Sequence, residues 1–363
     1  MTLSVGHEAQ RVCGTDPEDV LLSLEDLHVV FETYFGVARA LSGIDLRLQT
    51  RKITGLVGET GCGKSVTAKA ILGLIPPPGR IVSGRIIFEG TDLLRLSPAT
   101  MGSIRGNRIA MIFQNPRAAL NPLFTVNDQI YFLLRRHQGL SRREARKRGI
   151  ELLHAVKIAD PERRINNYPF ELSTGMCQRV MIAMSLACQP RFLIADEPTT
   201  GLDVTIQAQI LELFAELVYD FGSTALVITH DLGVVAETCD FTAVMYTGQI
   251  VEFGTTEDVF QHTTHPYTVG LLASCLIGEE GEKLRYIRGS VPDLTQLPEG
   301  CTFRQRCDAA HEGCSENRPP VVDLGNGHIA RCCIPPSSQT EDSGRDAVRR
   351  PPLLRAENEE RMR

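Results

Sequence analysis

The chain has 363 residues and a net charge of −6 at pH 7, with 42% hydrophobic and 23% charged residues. This length suits two domains, or one large domain with an appendage, and the composition is that of an ordinary soluble protein. No apolar run approaches the roughly 18 residues that cross a membrane, and the charge gives no general attraction for nucleic acid.

The N-terminal sequence predicts a short lead followed by a small β region. Residues 1–22 are polar and irregular and lack the basic start and apolar stretch of a secretory signal. We therefore expect a cytosolic protein with reduced thiols, and a flexible lead before the first domain. Apolar and polar residues then alternate from Leu24 to Phe31 and from Ile44 to Leu48, which predicts half-buried antiparallel strands.

The next stretch fits the phosphate-binding loop pattern, in which two glycines separated by four residues precede Lys and Ser. It follows a short apolar strand and precedes a helix with one apolar face, a context that disfavours a glycine-rich turn with a chance lysine. Backbone N–H groups would bind phosphate oxygens, Lys64 would reach the β and γ phosphates, and Ser65 would ligate Mg²⁺. The predicted nucleotide site comprises Gly58, Glu59, Thr60, Gly61, Cys62, Gly63, Lys64, Ser65 and Val66.

Two neighbouring aromatic residues lie ahead of this loop. Tyr34 and Phe35 fall between the two predicted antiparallel strands. In such a fold one of their rings can stack on an adenine, or both can be packing or surface aromatics. The sequence does not choose between the rings.

Polar residues follow three further apolar runs, which we predict to be buried strands. The runs end at Gln114, at Asp196 and Glu197, and at His230. Ligands bind at the carboxyl ends of strands in open α/β sheets. Asp196 fits the acid that holds Mg²⁺, and Glu197 fits the group that orients or deprotonates the attacking water. Gln114 is a candidate Mg²⁺ or water-positioning group, and His230 either donates to the γ phosphate or is structural.

A helical section lies between these strands. Residues 123–172 are predicted to be helical, with Ser141 and Glu144 as a capping box. They indicate a helical subdomain, about residues 123–188, inserted into the α/β core. A further helix begins at residues 173–175. Ser173 either caps this helix and leaves its free N–H groups facing an anion, or it is an ordinary helix start.

Together these residues resemble the nucleotide-binding subunit of ABC transporters, over roughly residues 24–275. Six elements occur in the family's order: the phosphate loop, the glutamine loop at Gln114, the signature at Leu172 to Met176, the strand into Asp196 and Glu197, the loop Gly201 to Asp203, and the switch histidine His230. The resemblance implies hydrolysis of ATP with Mg²⁺ and an α/β fold. That fold has a RecA-like P-loop NTPase core, an antiparallel β subdomain and the inserted helical subdomain. The resemblance also assigns a role in nucleotide binding to Ser173, Thr174, Gly175 and Asp203.

The C-terminal sequence narrows the resemblance. Residues 254–274 and 289–294 are similar to the tail of the oligopeptide, dipeptide and nickel branch of ABC import ATPases. That branch implies a peripheral subunit at the cytoplasmic face of the inner membrane, in a head-to-tail dimer with a second, distinct ATPase. It also implies two transmembrane permeases and an extracytoplasmic solute-binding protein, and no nucleic acid. We expect uptake of oligopeptides or dipeptides. The alternatives are uptake of nickel or another small solute, and a soluble ABC ATPase without a transport role.

The signature departs from the family pattern at one position. The family usually has Leu-Ser-Gly-Gly, whereas Thr174 stands third here. Ser173 and Gly175 are retained, so we expect the anion-facing cap to be kept. A β-branched residue limits the approach of the opposing nucleotide and disfavours a positive φ. We hypothesise that the composite site that uses this signature is weaker than its mate.

Cysteines concentrate near the C-terminus. We call Cys301, Cys307, Cys314 and Cys332 the cysteine cluster. In a cytosolic protein, this clustering favours a metal site over disulfides, and four thiolates suit an iron–sulfur cluster or Zn²⁺. Some members of the resembled branch carry a [4Fe-4S] cluster on a similar set, which favours that cofactor. Four unliganded thiols and a redox sensor that gates ATPase activity are the alternatives, and Cys333 competes with Cys332 as fourth ligand.

The predicted organisation has four parts. A flexible lead at 1–22 precedes the nucleotide-binding domain at 23–275, and a small Cys-rich C-terminal extension follows at 276–335. The remaining residues, 336–363, contain few apolar side chains and are predicted to be disordered.

Overall fold

The computed structural model describes residues 19–275 and 286–333. Most of the predicted lead and the whole of the predicted tail lie outside these ranges.

The strands are β1 Val20–Thr33, β2 Gly36–Gln49, β3 Ile53–Val57, β4 Gly79–Phe88, β5 Thr91–Asp92, β6 Ile109–Ile112, β7 Phe192–Asp196, β8 Thr224–Ile228, β9 Phe241–Tyr246, β10 Gln249–Thr255, β11 Val321–Gly325 and β12 His328–Arg331. The helices are α1 Lys64–Ile71, α2 Pro98–Ile104, α3 Pro116–Ala119, α4 Val126–Gln138, α5 Arg142–Ala155, α6 Pro161–Arg164, α7 Thr174–Leu186, α8 Val204–Asp220, α9 Leu232–Thr238, α10 Thr256–Gln261, α11 Pro266–Cys275 and α12 Gly313–Glu316.

A four-stranded antiparallel sheet has the order β2-β1-β4-β5. The alternation in the sequence predicts a half-buried strand, and in β1 Leu27 and Val29 are buried between partly exposed neighbours, whereas Leu21 to Leu24 are all buried. The strands are longer than predicted: β1 begins at Val20, and β1 and β2 meet in a turn that exposes Tyr34 and Phe35. The predicted antiparallel β subdomain is therefore present.

The central sheet has eight strands in the order β11-β12-β10-β9-β3-β8-β7-β6. The five strands β9, β3, β8, β7 and β6 run parallel, and their apolar sequences follow from burial on both faces. In β7, Leu193 and Ala195 face one hydrophobic cluster, whereas Phe192 and Ile194 face the other. The parallel arrangement brings the carboxyl ends of these strands to one edge.

The predicted helical subdomain is also present. In α4, Val126, Ile130 and Leu134 lie four residues apart and are fully buried, so one face of the helix enters the core. The capping box at the start of α5 is observed, because the Ser141 hydroxyl accepts from the Glu144 N–H and the Glu144 carboxylate accepts from the Ser141 N–H. None of the described helices is long and apolar enough to cross a bilayer.

The C-terminal extension continues the central sheet. Its hairpin of β11 and β12 pairs with β10, with Ala330 opposite Glu252. The Glu252 carboxylate is fully buried, and His328 of β12 lies 3.0 Å from it. The extension therefore packs on the same core as the predicted nucleotide-binding domain.

Candidate functional site

The phosphate loop connects β3 to α1, as its sequence context predicts. Gly58 and Gly63 have φ values of 151° and 111°, which favour glycine. A Cβ atom at Gly58 would lie 2.2 Å from the Met245 carbonyl oxygen, and one at Gly63 would lie 2.7 Å from the Ala40 carbonyl oxygen. The loop therefore packs its backbone against two neighbouring strands, and its glycines allow a tight turn of the kind that binds phosphate.

Lys64 begins α1 and is buried, with 6% of its surface exposed. Its ammonium donates to the carbonyl oxygens of Gly58 at 2.6 Å and Glu59 at 3.1 Å. The cation is thus positioned inside its own loop. Burial raises the pKa of the neighbouring Cys62 thiol, so this thiol stays protonated at neutral pH. The remaining predicted loop residues differ in exposure: Thr60 and Gly61 are exposed, and Ser65 and Val66 are half-buried.

Ser65 and Asp196 meet although they come from different elements. The Ser65 hydroxyl donates to the Asp196 carboxylate at 3.0 Å. Asp196 ends β7 and is only 6% exposed. Burial raises the pKa of its carboxyl, and the hydrogen bond from Ser65 partly offsets this rise. A buried carboxylate and a hydroxyl in contact are oxygen ligands of the kind that suits Mg²⁺, so the two residues fit the predicted metal site.

Glu197 is the centre of a hydrogen-bonded group at the same edge. Its carboxylate accepts from the Gln114 amide at 2.6 Å and from the Thr200 hydroxyl at 2.9 Å, and the His230 Nδ1 atom lies 3.3 Å from it. Its φ of 47° is unusual for a residue other than glycine, and such strain is typical of functional sites. Sequence reasoning identified Gln114 and His230 but missed Thr200.

Gln114 therefore contacts the carboxylate that we predict to orient water. Its amide donates to Glu197, and the described residues show no hydrogen bond from Gln114 to Ser65 or Asp196. Of the two roles that the sequence allows, this contact favours water positioning over a direct ligand role.

Two sets of predicted nucleotide-binding residues lie apart from this group. Tyr34 and Phe35 are 98% and 83% exposed at the β1–β2 turn, and their rings contact each other edge to face. Asp203 precedes α8 as its N-cap residue but makes no capping hydrogen bond with its side chain. Within the described ranges, no hydrogen bond or ion pair joins these three residues to the phosphate loop.

The signature residues begin α7. Ser173 is the N-cap, and its hydroxyl accepts from the Met176 N–H at 3.3 Å, which confirms the predicted cap. Thr174 is the first helical residue and is not among the described residues with positive φ, which agrees with the expectation that a β-branched residue disfavours a positive φ. A helix start needs no such conformation. The steric part of the Thr174 hypothesis is unaffected.

The cysteine cluster gathers in the extension without forming a metal-binding arrangement. Cys301 donates its N–H to the Cys314 carbonyl oxygen at 2.8 Å. Burial raises the pKa of the Cys301 thiol to about 11, and the three other thiols of the cluster push it in the same direction. In the part of the chain that the structure describes, however, no three His, Cys, Asp or Glu side chains are arranged to hold a metal ion. The geometry therefore gives the iron–sulfur and zinc predictions no support.

The extension also reaches the phosphate loop, through a contact that no motif predicts. The Arg306 guanidinium donates to both carboxylate oxygens of Glu59, at 2.6 and 2.9 Å. The Glu59 N–H donates to the Tyr267 hydroxyl at 2.8 Å. The only sequence signal for Arg306 is its position between Cys301 and Cys307.

Two family profiles match the chain. One, described as ABC transporter, matches residues 41–200, and the other, described as oligopeptide/dipeptide transporter C-terminal region, matches residues 251–314. The chain is 49% identical over 325 residues to a probable peptide ABC transporter ATP-binding protein of Sinorhizobium fredii, covering 89% of this chain and 97% of that one. It is 47% identical to the dipeptide transport ATP-binding protein DppD of Bacillus subtilis, covering 86% of this chain and 94% of the relative.

Solved structures show the same fold. The ATP-binding cassette MJ0796, in a dimeric post-hydrolysis state with ADP and phosphate, has a TM-score of 0.59 and 26% identity, covering 65% of this chain and 98% of that one. The cbiO1 protein of Clostridium perfringens, part of the transporter complex cbiONQ, has a TM-score of 0.58 and 29% identity, covering 68% of this chain and 92% of that one.

Proposed function

Because this chain belongs to the ATP-binding proteins of ABC transporters, we propose that it hydrolyses ATP to drive the import of oligopeptides or dipeptides. The observation that carries the proposal is the Glu197 group at the edge of the central sheet, next to the contact between Ser65 and Asp196. The C-terminal profile match and the names of the relatives favour peptides over nickel as cargo.

In this proposal the phosphate loop binds the ATP phosphates. The N–H groups between Gly58 and Ser65 and the start of α1 bind phosphate oxygens. Lys64 exchanges its carbonyl partners for the β and γ phosphates, which satisfy its charge better. One ring of the pair Tyr34 and Phe35 stacks on adenine, for which their exposure leaves room.

Ser65 and Asp196 would hold Mg²⁺. The bound ion neutralises charge on the phosphates. The raised pKa of the Asp196 carboxyl agrees with this role, because a cation favours the ionised form of a buried carboxyl.

Glu197 would direct water at the γ phosphate. Its carboxylate orients the water and accepts a proton as the new P–O bond forms and the bond to the β phosphate oxygen breaks. Gln114 and Thr200 hold one oxygen of the carboxylate, while His230 contacts the other. His230 then holds this geometry and can donate to the γ phosphate.

A complete site requires a second ATPase subunit. Ser173, Thr174 and Gly175 begin α7, and within the described ranges they make no hydrogen bond to the phosphate loop of their own chain. We propose that they close the site of a partner in a head-to-tail dimer, as does Asp203. Two membrane permeases and an external solute-binding protein would complete the importer, with this subunit at the cytoplasmic face of the membrane.

Reconstitution tests this function. The chain is assembled with candidate permeases, a second ATPase and a binding protein from the same organism, in proteoliposomes that contain ATP and Mg²⁺. We expect short peptides to stimulate hydrolysis and to enter the vesicles, and Glu197→Gln to abolish both. Stimulation by nickel alone would support the other cargo. Purification with ribosomes or DNA, without permeases, would contradict a transport role.

A metal site in the extension is a separate proposal. We propose the cysteine cluster as a [4Fe-4S] site, with Zn²⁺ as the alternative, on the basis of the residue types and their clustering in the sequence alone. Because the side chains are not arranged as ligands, no step of hydrolysis is assigned to the metal. Iron and acid-labile sulfide in anaerobically purified protein would support the cluster, and zinc alone would reject it.

A further inference from the structure

Arg306 and Glu59 form an ion pair between the C-terminal extension and the phosphate loop, with the Arg306 side chain buried and the Glu59 side chain partly exposed. Only 4% of the Arg306 side-chain surface is exposed, and Glu59 is the residue after Gly58. The two hydrogen bonds join the two guanidinium nitrogens to the two carboxylate oxygens, which is the strongest geometry for this pair. The hydrogen bonds to Glu59 raise the pKa of the Arg306 guanidinium, so its charge is permanent.

The extension and strand β9 together position this guanidinium from several sides. Its Nε atom donates to the Arg288 carbonyl oxygen at 2.8 Å. It lies 5.8 Å from the centre of the Tyr246 ring and 5.9 Å from that of Phe303, within range of a cation–π interaction. A side chain with so many contacts has one conformation, so the position of Glu59 depends on the packing of the extension.

Glu59 is in turn connected to the phosphate-binding groups. Its N–H is bound by the Tyr267 hydroxyl, and its carbonyl oxygen accepts from Lys64. The N–H of Glu59 is therefore tied to α11 and its carbonyl oxygen to the cation of the loop, while its carboxylate is tied to the extension. Its carboxylate would also repel the negative phosphates of a nucleotide if Arg306 did not neutralise it.

We propose that Arg306 is a positioning residue for ATP, through which the C-terminal extension sets the affinity of the phosphate loop for nucleotide. Arg306 holds Glu59 in place and cancels its charge. The inference rests on the proposed ATPase function and adds a role for the extension that no motif of the nucleotide site contains.

The test compares two arginines that tie the extension to the rest of the chain. Arg306→Met removes the pair with Glu59, whereas Arg318→Met removes hydrogen bonds to the carbonyl oxygens of Ser42 and Gly43 in β2. Equilibrium binding of Mg·ATP to the full-length chain is measured together with thermal unfolding. We expect Arg306→Met to weaken binding about tenfold and Arg318→Met to leave it within about twofold.

Two further variants separate positioning from loss of folding. Adding Glu59→Gln to Arg306→Met should restore most of the affinity, because no unpaired carboxylate then faces the phosphates. Arg306→Lys keeps the charge but loses the paired geometry, and it should bind about threefold more weakly than wild type even if the methionine variant does not fold.

Several results would overturn the proposal. These are wild-type affinity in folded Arg306→Met or Arg306→Lys protein, an equal loss of affinity in Arg318→Met, and no rescue by Glu59→Gln. A wild-type chain that binds no Mg·ATP would instead refute the proposed function.

Discussion

The Ser65 hydroxyl lies 3.0 Å from the Asp196 carboxylate and joins the start of α1 to the end of β7, across 131 residues of sequence. Asp196 is almost fully buried, and burial raises the pKa of its carboxyl. The Ser65 hydrogen bond and the nearby charges of Lys69 and Lys64 offset this rise only in part. Binding of a cation is therefore more strongly favoured beside this pair than beside an exposed carboxylate.

Asp196→Asn should separate fold stability from metal binding. When the pKa of a carboxyl is higher in the folded than in the unfolded chain, stability falls as the pH rises from the ordinary aspartate value through the raised one. At neutral pH this destabilisation is present in the wild type. Without Mg·ATP the uncharged variant should therefore melt about 2 °C higher, the shift that ~1 kcal/mol gives in a protein of this size.

Addition of Mg·ATP should reverse that order, because only the wild type can hold the ion through Asp196. Thermal unfolding with and without Mg·ATP measures both effects, and ATP without Mg²⁺ is the control. If Mg·ATP stabilised Asp196→Asn as strongly as the wild type, the metal-binding role of Asp196 would be rejected.

Glu197→Gln should stop hydrolysis while it preserves binding. The amide oxygen can still accept from Gln114 and Thr200, so the local geometry is retained, but the amide cannot take a proton from water. General-base catalysis contributes about 10²–10⁴-fold, so kcat should fall at least about 100-fold while the affinity for Mg·ATP changes little. Thr200→Val, which leaves the carboxylate in place, should reduce kcat less. A Glu197→Gln enzyme with near wild-type kcat would contradict the assigned role.

His230→Ala should reduce hydrolysis, and the chain offers a matched control. The His230 side chain is 62% exposed, and its Nδ1 atom lies 3.3 Å from the Glu197 carboxylate. The His262 side chain is 63% exposed, and its Nδ1 atom lies 3.6 Å from the Asp258 carboxylate. Both histidines contact a carboxylate at the surface, but only His230 contacts the catalytic candidate. We expect a fall in kcat of about 100-fold for His230→Ala and no change for His262→Ala. Equal effects of the two substitutions would favour a structural role for His230.

Sequence patterns predicted four of the eight strands of the central sheet, β3, β6, β7 and β8, and the polar residues at the ends of three of them. The strands are apolar because both faces are buried, and the polar residue after each strand necessarily falls at the same edge in a parallel sheet. Asp196, Glu197 and His230 could therefore be placed near the phosphate loop without coordinates. The antiparallel region and the capping box at Ser141 were predicted from equally local patterns.

Contacts that depend on loop shape or on long sequence separation were not predictable. Thr200 reaches Glu197 only because the loop after β7 turns back from a residue with a φ of 47°. Arg306 and Glu59 are 247 residues apart, and their contact depends on how the extension packs. The cysteine spacing likewise does not determine how the side chains are directed, which is why it predicted a ligand set that the structure does not form.

Thr174→Gly should strengthen the ATP site of the partner subunit. Thr174 is half-buried at the start of α7, beside the N–H groups that would face the partner's nucleotide. Its branched side chain adds bulk there, so we expect its removal to raise ATP hydrolysis by the assembled complex about threefold, whereas the isolated subunit should bind ATP as before. Glycine also lowers helix propensity, by up to ~1 kcal/mol relative to alanine, so a slightly lower Tm is expected.

Thr174→Ser separates bulk from polarity, because it removes the methyl group and keeps the hydroxyl. If bulk limits the approach of the nucleotide, the serine variant should lie between wild type and glycine in the hydrolysis rate of the complex. An unchanged rate in Thr174→Gly would reject the idea that this signature makes a weaker site, since the helix start would then already admit the partner's phosphates with threonine in place.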